Sequence, residues 1–501
     1  KDTAGSTSGS VAGNDVISNI VLGAGTSSTD NNFGELVGAQ IRGFVYCDDN
    51  NDGIKQGTEA GLGGVTVTLA GLDDLGNSVA ATTTTLGDGS YVFAGLRPGT
   101  YTVTEATQPA DKLDGLDTAG FPGNGVAGNE VISNIVLTQG LISSDNNFGE
   151  IKPAMLSGYV YEDAGNDGVR NNETPIAGVT VTLSGTNDLN QPVTLTTTTN
   201  AVGYYEFAGL RPGTYTVTET QPATYVDGKD TAGSTGGTAG NDVISDISLV
   251  SGANSTENNF GELPKAQING FVYCDTNDDG IKQGTEVGLG GVTVTLSGQD
   301  DLGNAVTATT TTNPDGSYSF TDLRPGTYTV TETTQPDGKL DGRDAAGDTP
   351  GSVVGNDVIS NIVLTPGLVS SGNNFGEILP SRISGYVYQD ADNDGVRNNE
   401  APIAGVTVTL TGINDQNQPV TLTTTTNAAG FYEFTSLRPG VYTVTETQPL
   451  GYVDGKDTAG TAGGTVSNDV ISSIVLGPDT NSTENNFGEL LPGSSVSGFV
   501  Y

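Results

Sequence analysis

Short segments that alternate apolar and hydroxyl-bearing residues recur along the whole chain. Segments such as "GVTVTL" and "TYTVTE" place β-branched apolar residues at every second position, as in strands with one buried and one solvated face. Asn/Asp-Gly and Pro-Gly turns separate them. Seven such segments fit into each interval of 112–115 residues between "GFVY" or "GYVY" strings. The pattern predicts an all-β fold, a tandem array of seven-stranded immunoglobulin-like β-sandwich domains.

The array has a longer period of two units. The "GFVYC" strings begin at Gly43 and Gly270, and the "GYVY" strings at Gly158 and Gly385, so like copies are 227 residues apart. We call the two kinds first-type and second-type repeats. The predicted boundaries are 1–36 for the end of a truncated repeat, 37–151 (first type), 152–263 (second type), 264–378 (first type), 379–491 (second type) and 492–501 for the first strand of a further repeat. The short connectors predict a fairly stiff array, and the chain reads as an excerpt of a longer protein.

Composition narrows the function. The chain carries 59 acidic and 18 basic residues, a net charge of −41, which disfavours binding to nucleic acid or anionic lipid. No apolar run approaches the roughly 20 residues of a membrane span. Histidine is absent, which removes the commonest general base and argues against an enzyme. Cys47 and Cys274 form no disulfide framework; we weigh a buried thiol against pairing between chains.

An acidic loop follows the first strand of every repeat. The stretch "DDNNDGIKQGTE", from Asp48 to Glu59, fits the D-x-N-x-D-G-x5-E spacing of a calcium loop. Ordinary Asx turns are the alternative, but four loops in register favour calcium. The predicted metal ligands are Asp48, Asn50, Asp52, Ile54 (carbonyl) and Glu59; Asp163, Asp167, Val169 (carbonyl) and Glu173; Asp275, Asn277, Asp279, Ile281 (carbonyl) and Glu286; and Asp390, Asp392, Asp394, Val396 (carbonyl) and Glu400.

The second-type loops depart from the template. In both, the closing glutamate (Glu173 or Glu400) comes one residue early, and the loop of residues 163–173 has Gly165 at the third position. That loop has one ligand fewer, so we expect it to bind calcium most weakly.

These motifs support a resemblance. "GFVYCDDNNDGIKQGTEAGLGGVTVTL" followed by "DGSYVFAGLRPGTYTVTE" resembles the SdrD B-like repeat domains of serine–aspartate repeat surface adhesins, relatives of the collagen-adhesin B-type domains. The resemblance covers all four full repeats. It implies a transthyretin-like sandwich, calcium binding, and a role as stiff spacer or stalk on a bacterial surface. Collagen-adhesin relatives can crosslink a first-strand Lys to a last-strand Asn, but no first strand here contains Lys, so we expect no isopeptide.

A second acidic cluster occurs late in each repeat, in "LDGLD", "VDGKD" or "LDGRD" followed by "GNE", "GND" or "SND". A metal could order these Gly-rich loops; solvated turns are the alternative. The candidate ligands are Asp114, Asp117, Asn129 and Glu130; Asp227, Asp230, Asn241 and Asp242; Asp341, Asp344, Asn356 and Asp357; and Asp454, Asp457, Asn468 and Asp469.

Together these features predict a calcium-stiffened structural region of an extracellular bacterial surface protein, either the stalk of a large adhesin or the body of a filament. The expected partners are calcium ions, copies of the chain, and a host or neighbouring-cell surface, without nucleic acid and without membrane insertion of this segment. The alternative is an adhesion module that itself binds a protein or glycan. Such a module would need exposed aromatic residues or a groove, whereas the aromatic residues here recur at framework positions.

Overall fold

A computed structural model describes residues 1–13 and 15–493. The described residues form β-strands, turns and bends, which confirms the predicted all-β class. No helix in this part of the chain is long and apolar enough to cross a membrane. The predicted strand at 492–501 lies outside the described residues, apart from 492 and 493.

Two compact units make up the chain: residues 1–223 with 227–262, and residues 224–226 with the chain from residue 263 onward. The strands up to residue 264 are β1 Ser10–Val11, β2 Ile17–Ser18, β3 Ala39–Cys47, β4 Thr66–Asp73, β5 Ser78–Thr84, β6 Ser90–Leu96, β7 Gly99–Glu105, β8 Leu113–Asp114, β9 Val126–Gly128, β10 Val131–Leu137, β11 Ile142–Ser143, β12 Phe148–Ile151, β13 Ala154–Glu162, β14 Thr180–Asn187, β15 Pro192–Thr198, β16 Tyr204–Leu210, β17 Gly213–Glu219, β18 Tyr225–Asp227, β19 Thr238–Gly240, β20 Val243–Leu249, β21 Asn254–Ser255 and β22 Phe260–Pro264.

The remaining strands repeat the same order. They are β23 Ala266–Cys274, β24 Thr293–Asp300, β25 Ala305–Thr311, β26 Ser317–Leu323, β27 Gly326–Glu332, β28 Leu340–Asp341, β29 Val353–Gly355, β30 Val358–Leu364, β31 Val369–Ser370, β32 Phe375–Ile378, β33 Ser381–Gln389, β34 Thr407–Asn414, β35 Pro419–Thr425, β36 Phe431–Leu437, β37 Gly440–Glu446, β38 Val453–Asp454, β39 Thr465–Ser467, β40 Val470–Leu476, β41 Asn481–Ser482 and β42 Phe487–Leu490.

Each repeat contains two five-stranded sheets. In the first repeat one sheet has the order β5-β4-β7-β10-β9, and in the other β3 pairs with β6, β11 and β12, with β8 beyond β12. Strand β3 is antiparallel to β6 and parallel to β11 and β12. The seven predicted strands are all present, but β8, β9 and β11, of two or three residues each, were missed, so a repeat has ten strands rather than seven. The exact repeat boundaries stay a prediction.

The core lies between the two sheets. Alternate residues of β3, β4, β7 and β10 point inward, and Ile41, Val67 and Ile135 are fully buried, as the period of two requires. Gly43 allows the close approach of the last strand region, because a Cβ there would lie 1.7 Å from the carbonyl oxygen of Asn146.

The asparagines of "NNFGE" hold the chain ends of a repeat together. Asn146 is fully buried; its Oδ1 accepts from the Gly120 amide at 3.0 Å, and its Nδ2 donates to the Ser143 Oγ at 3.0 Å. Asn147 Oδ1 accepts from the Phe44 amide of β3 at 3.0 Å. These bonds satisfy buried polar groups and fix β12 beside β3, which positions the acidic groups described next.

Candidate metal centre

The acidic loop after β3 is folded by hydrogen bonds to its own backbone. Asp48 is fully buried, and its two carboxylate oxygens accept from the amides of Asp52 (3.1 Å) and Gly53 (2.8 Å). Asp52 in turn accepts from the amide of Ile54 at 2.8 Å. Gly53 has a φ of +74°, a conformation that glycine adopts without strain. The turn therefore folds position five of the loop back onto the carboxylate of position one.

The closing glutamate folds back onto this loop. Glu59 Oε1 accepts from the Asp49 amide at 3.1 Å, and Oε2 accepts from the Gln56 amide at 2.8 Å. Its side chain is buried with the loop. The side-chain Nδ2 of Asn50, a predicted ligand, donates to Asp52 Oδ2 at 2.8 Å. All four side chains predicted as ligands in this repeat thus lie in one closed loop.

The other loops share this architecture. Asp163, Asp275 and Asp390 are fully buried and each accepts from the two equivalent backbone amides. In the fourth repeat one oxygen each of Asp390, Asp392 and Asp394 lies within 4.8 Å of the others, a spacing that one divalent cation with oxygen ligands at about 2.3–2.6 Å could span. The predicted carbonyl ligands Ile54, Val169, Ile281 and Val396 follow the turn, and their amides donate to the fifth-position aspartate.

The early glutamate of the second-type loops reaches the same place. Glu400 Oε1 accepts from the Ala391 amide at 2.9 Å, the equivalent of the bond from Asp49 to Glu59. Burial first, and then the charges of Asp163 and Asp167, raise the pKa of Glu173, so this glutamate also faces its loop. The one-residue deletion therefore does not displace the closing carboxylate.

A second cluster is buried where β7, β12 and the turn before β10 meet. One oxygen each of Glu105, Glu130 and Glu150 lies within 4.8 Å of the others. Glu105 is 4% exposed and Glu150 is fully buried. Neither oxygen of Glu105 has a hydrogen-bond partner among the described residues, and Glu150 Oε1 has none either. An unpaired buried carboxylate is costly, so the cluster requires either protons or a cation.

The predicted late aspartates border this cluster. Asp117 Oδ2 accepts from the Glu130 amide at 2.8 Å, and Asp114 lies in β8 beside β12. The third repeat brings Asp341, Asp344 and Asp357 within 4.8 Å of one another. The predicted asparagines contribute less: Asn129, Asn241, Asn356 and Asn468 are exposed, and the last three donate to the neighbouring aspartate.

All four repeats contain the buried cluster. The groups equivalent to Glu105, Glu130 and Glu150 are Glu219, Asp242 and Glu262; Glu332, Asp357 and Glu377; and Glu446, Asp469 and Glu489. Both oxygens of Glu219, Glu332 and Glu446 lack a hydrogen-bond partner among the described residues.

Burial and mutual repulsion raise the pKa values of the cluster. Burial first, and then the charges of Glu150 and Glu130, raise the pKa of Glu105 to about 10. Burial and then the charge of Glu130 raise the pKa of Glu150 to about 8. Burial and then the charges of Asp114 and Glu130 raise the pKa of Asp117 to about 7. A divalent cation would reverse this preference for the neutral form.

The two sites lie on either side of β12. The Asp48 amide of the loop donates to the Glu150 carbonyl at 2.7 Å, and the Gly149 amide donates to Asp117 Oδ1 of the cluster at 3.3 Å. A Cβ at Gly149 would lie 3.3 Å from Asp48 Oδ2, so glycine leaves room for both carboxylates. The pair of sites spans the first strand, the last strand and two loops of one repeat.

Sequence reasoning missed the deepest acidic groups. Glu105 and its equivalents in "TVTE", and the glutamate of "NNFGE", are not among the predicted ligands. The hydroxyl of Tyr46 is also buried without a partner among the described residues, and burial and the charges of Asp48 and Glu59 raise its pKa. The signal that was available is a glutamate at an inward-facing position of an otherwise apolar strand.

A known protein family and known relatives match most of the chain. The SdrD B-like domain model matches residues 39–126, 154–261, 266–364 and 381–488. The chain belongs to the SdrD B-like domain family. It is 32% identical over 475 residues to Serine-aspartate repeat-containing protein D of Staphylococcus aureus (strain Newman), covering 92% of this chain and 34% of that protein. It is 33% identical over 433 residues to Serine-aspartate repeat-containing protein F of Staphylococcus epidermidis, covering 81% of this chain and 23% of that protein.

The chain therefore spans about one third of the length of the first of these relatives. Among solved structures, the Bacillus anthracis TIE protein aligns over 89% of this chain and 73% of its own at 14% identity and a TM-score of 0.34. BcpA, the major pilin subunit of Bacillus cereus, aligns over 67% and 99% at 14% identity and a TM-score of 0.28. As an array of this family the chain is a tandem-repeat segment of a cell-surface protein, located outside the cell.

Proposed function

We propose that this chain is a calcium-stiffened spacer, the stalk of a large surface adhesin or the body of a surface filament. The observation that carries the proposal is the buried cluster of Glu105, Glu130 and Glu150, present in all four repeats. Carboxylates without hydrogen-bond donors need a cation to stay ionised, and calcium prefers several carboxylate oxygens.

The two sites of a repeat would stabilise different parts of it. The loop, with Asp48, Asp52 and Glu59, would bind calcium near the surface and fix the segment after the first strand. The cluster, with Asp114 and Asp117 at its border, would bind calcium inside and tie β7, β12 and the long loops before β10 together. For extracellular calcium near 1 mM and a Kd of about 0.1 mM, each site adds about 1.4 kcal/mol to the free energy of unfolding.

Stiffness follows from the number of sites rather than from the strength of one. Segments of low apolar content gain fixed positions when an ion binds, and this gain recurs in every repeat. Association with copies of the chain and attachment to a host or neighbouring cell stay predictions, since the chain covers only part of its relatives.

The test uses the full chain. Differential scanning calorimetry and small-angle X-ray scattering are recorded with 2 mM calcium, with 2 mM magnesium and after removal of divalent ions. We expect calcium to raise the melting temperature by many degrees and to narrow the range of end-to-end lengths, with magnesium giving a smaller effect. Equal melting and equal scattering in all three solutions would contradict the proposal.

A further inference from the structure

An arginine–aspartate pair joins two turns of each second-type repeat. In the first unit Arg211 Nε and Nη2 donate to the two oxygens of Asp188 at 2.7 and 2.8 Å. Both side chains are less than one-fifth exposed. The Asp188 amide donates to the Pro212 carbonyl at 2.8 Å, which holds the two turns together. The pair is a bidentate one with fixed geometry.

The same pair contacts both acidic sites of the preceding repeat. Arg211 Nη1 donates to the backbone carbonyl of Asp114, which borders the buried cluster, at 2.8 Å. Asp188 Oδ2 accepts from the side-chain amide of Asn51 at 2.8 Å. Asn51 is the fourth residue of the acidic loop, between Asn50 and Asp52, and has a φ of +54°. One residue pair therefore touches a loop residue and a cluster residue at the same time.

The second unit repeats this junction with altered charges. Arg438 Nε donates to Asp415 at 2.7 Å and Nη1 donates to the Asp341 carbonyl at 2.6 Å. The loop residue there is Asp278 rather than asparagine, and Arg343 Nε lies 3.8 Å from its Oδ2. Position 343 corresponds to Leu116 of the first repeat. An added negative charge at the junction is thus accompanied by an added positive charge.

We propose that this arginine–aspartate pair couples cation binding in a first-type repeat to the docking of the second-type repeat that follows. The inference rests on the proposed function. A cation in the loop, bound by Asp52, and a second one at the cluster that Asp114 borders would each fix the backbone around their ligands. The groups that dock the next repeat are Asn51 and the Asp114 carbonyl. Without cations, the carboxylates around Asp114 repel one another and the turn at Asn51 is held only by its own hydrogen bonds. The pair then has a less fixed acceptor at the Asp114 carbonyl and a less fixed donor at Asn51. Linkage is reciprocal, so docking also strengthens cation binding.

A matched control exists within the chain. Arg97 forms the same bidentate bond with Asp74 at 2.8 and 3.1 Å in the same turns of the first-type repeat. Among the described residues, the Arg97 guanidinium donates only to aspartates of those turns. Arg97→Gln therefore removes an equivalent pair without removing a junction contact. Asn51→Gly removes only the bond to Asp188, and glycine accepts the positive φ.

The experiment measures the junction directly in the full chain. Nitroxide labels are attached through non-natural amino acids at Leu86 and Leu195, which are exposed and outside both sites, and the distance distribution is recorded by double electron–electron resonance. We expect a narrow distribution with calcium and a broad one after chelation. In the variants Arg211→Gln and Asn51→Gly the distance distribution should stay broad with calcium. In Arg97→Gln it should narrow with calcium, as in the parent chain.

Calorimetric calcium titration of the same proteins separates calcium binding itself from its coupling to docking. We expect Arg211→Gln to weaken calcium binding by about fivefold at the sites of the preceding repeat, close to 1 kcal/mol. If calcium binds but the parent distribution does not narrow, or if both junction variants narrow as the parent does, the coupling is wrong and the calcium proposal stands. If calcium does not bind at all, the proposed function itself fails.

Discussion

The acidic loop and the buried cluster are both built from carboxylates, but in the part of the chain that the structure describes only those of the loop are hydrogen-bonded to the backbone. In the loop, Asp48 and Glu59 each accept two backbone hydrogen bonds, so their charge is compensated by the turn itself. In the cluster, Glu105 has no partner among the described residues and its pKa is raised to about 10. The loop can exist without a cation as an ordinary turn. The cluster cannot stay ionised without one, so we expect the larger calcium effect at the cluster, the site without the recognisable motif.

The largest expected effect comes from neutralising the cluster in every repeat. At pH 5.5 without calcium, the fourfold variant Glu105→Gln, Glu219→Gln, Glu332→Gln and Glu446→Gln should melt within a few degrees of the parent chain, because glutamine resembles the protonated carboxyl. It should abolish most of the calcium-induced rise in melting temperature, measured by scanning calorimetry.

The matched loop variant carries Glu59→Gln, Glu173→Gln, Glu286→Gln and Glu400→Gln. It should lose a smaller part of the calcium response, because the other loop carboxylates and the whole cluster remain. If the loop variant lost more of the calcium-induced rise in melting temperature than the cluster variant, the loop and not the cluster would be the stronger calcium site.

The next effect is a pH dependence of the calcium-free chain. The folded-state pKa of Glu105 is raised from 4.5 to about 10, so between these values the folded state binds more protons than the unfolded state. Stability then falls as pH rises through this window. Thermal unfolding without divalent ions should show a higher melting temperature at pH 5.5 than at pH 8.5.

The fourfold glutamine variant of the cluster is the control for that measurement. Its melting temperature should change less over the same range, because its cluster has fewer groups to titrate. Equal slopes for the two proteins would show that the cluster is not the source of the pH dependence.

What the sequence could reveal depended on distance along the chain. The loops are local, so the spacing of Asp48, Asp52 and Glu59 was sufficient, and the strands with clear alternation were found. Glu105 and Glu150 are far apart in sequence and meet only because β7 and β12 end at the same place in the sandwich. Strands of two residues such as β8 carry too few residues for a period to be seen. Asn129 is among the predicted ligands because it lies beside Glu130 in the sequence. Only the three-dimensional structure shows that Asn129 is exposed while Glu130 belongs to the cluster.

A smaller effect is the release of protons when calcium binds. At pH 7.5 the pKa of Glu105 is about 10 and that of Glu150 about 8, so the calcium-free cluster holds protons that an ion must displace. Titration calorimetry in two buffers of different ionisation enthalpy should give a release on the order of one proton per repeat. The loop carboxylates should contribute little, so the cluster variant should release almost none. Release that persists in that variant would place the protons elsewhere.

The smallest expected effect is a difference in calcium affinity between the acidic loops of the second and fourth repeats. Gly165 occupies the third loop position of the second repeat, where the fourth repeat has Asp392. A Cβ at Gly165 would meet no atom closer than 3.8 Å, so the backbone there has room for a side chain. Gly165→Asp adds one carboxylate to the set of Asp163 and Asp167. We expect calcium affinity at this loop to rise several-fold, roughly 1 kcal/mol, in a calcium titration followed by hydrogen exchange of residues 163–173. The reverse change, Asp392→Gly, should weaken the fourth loop by a similar factor. If neither substitution alters exchange in its own loop, the third position does not contact the ion, and the ranking of the four loops would depend on Glu59 and its equivalents instead.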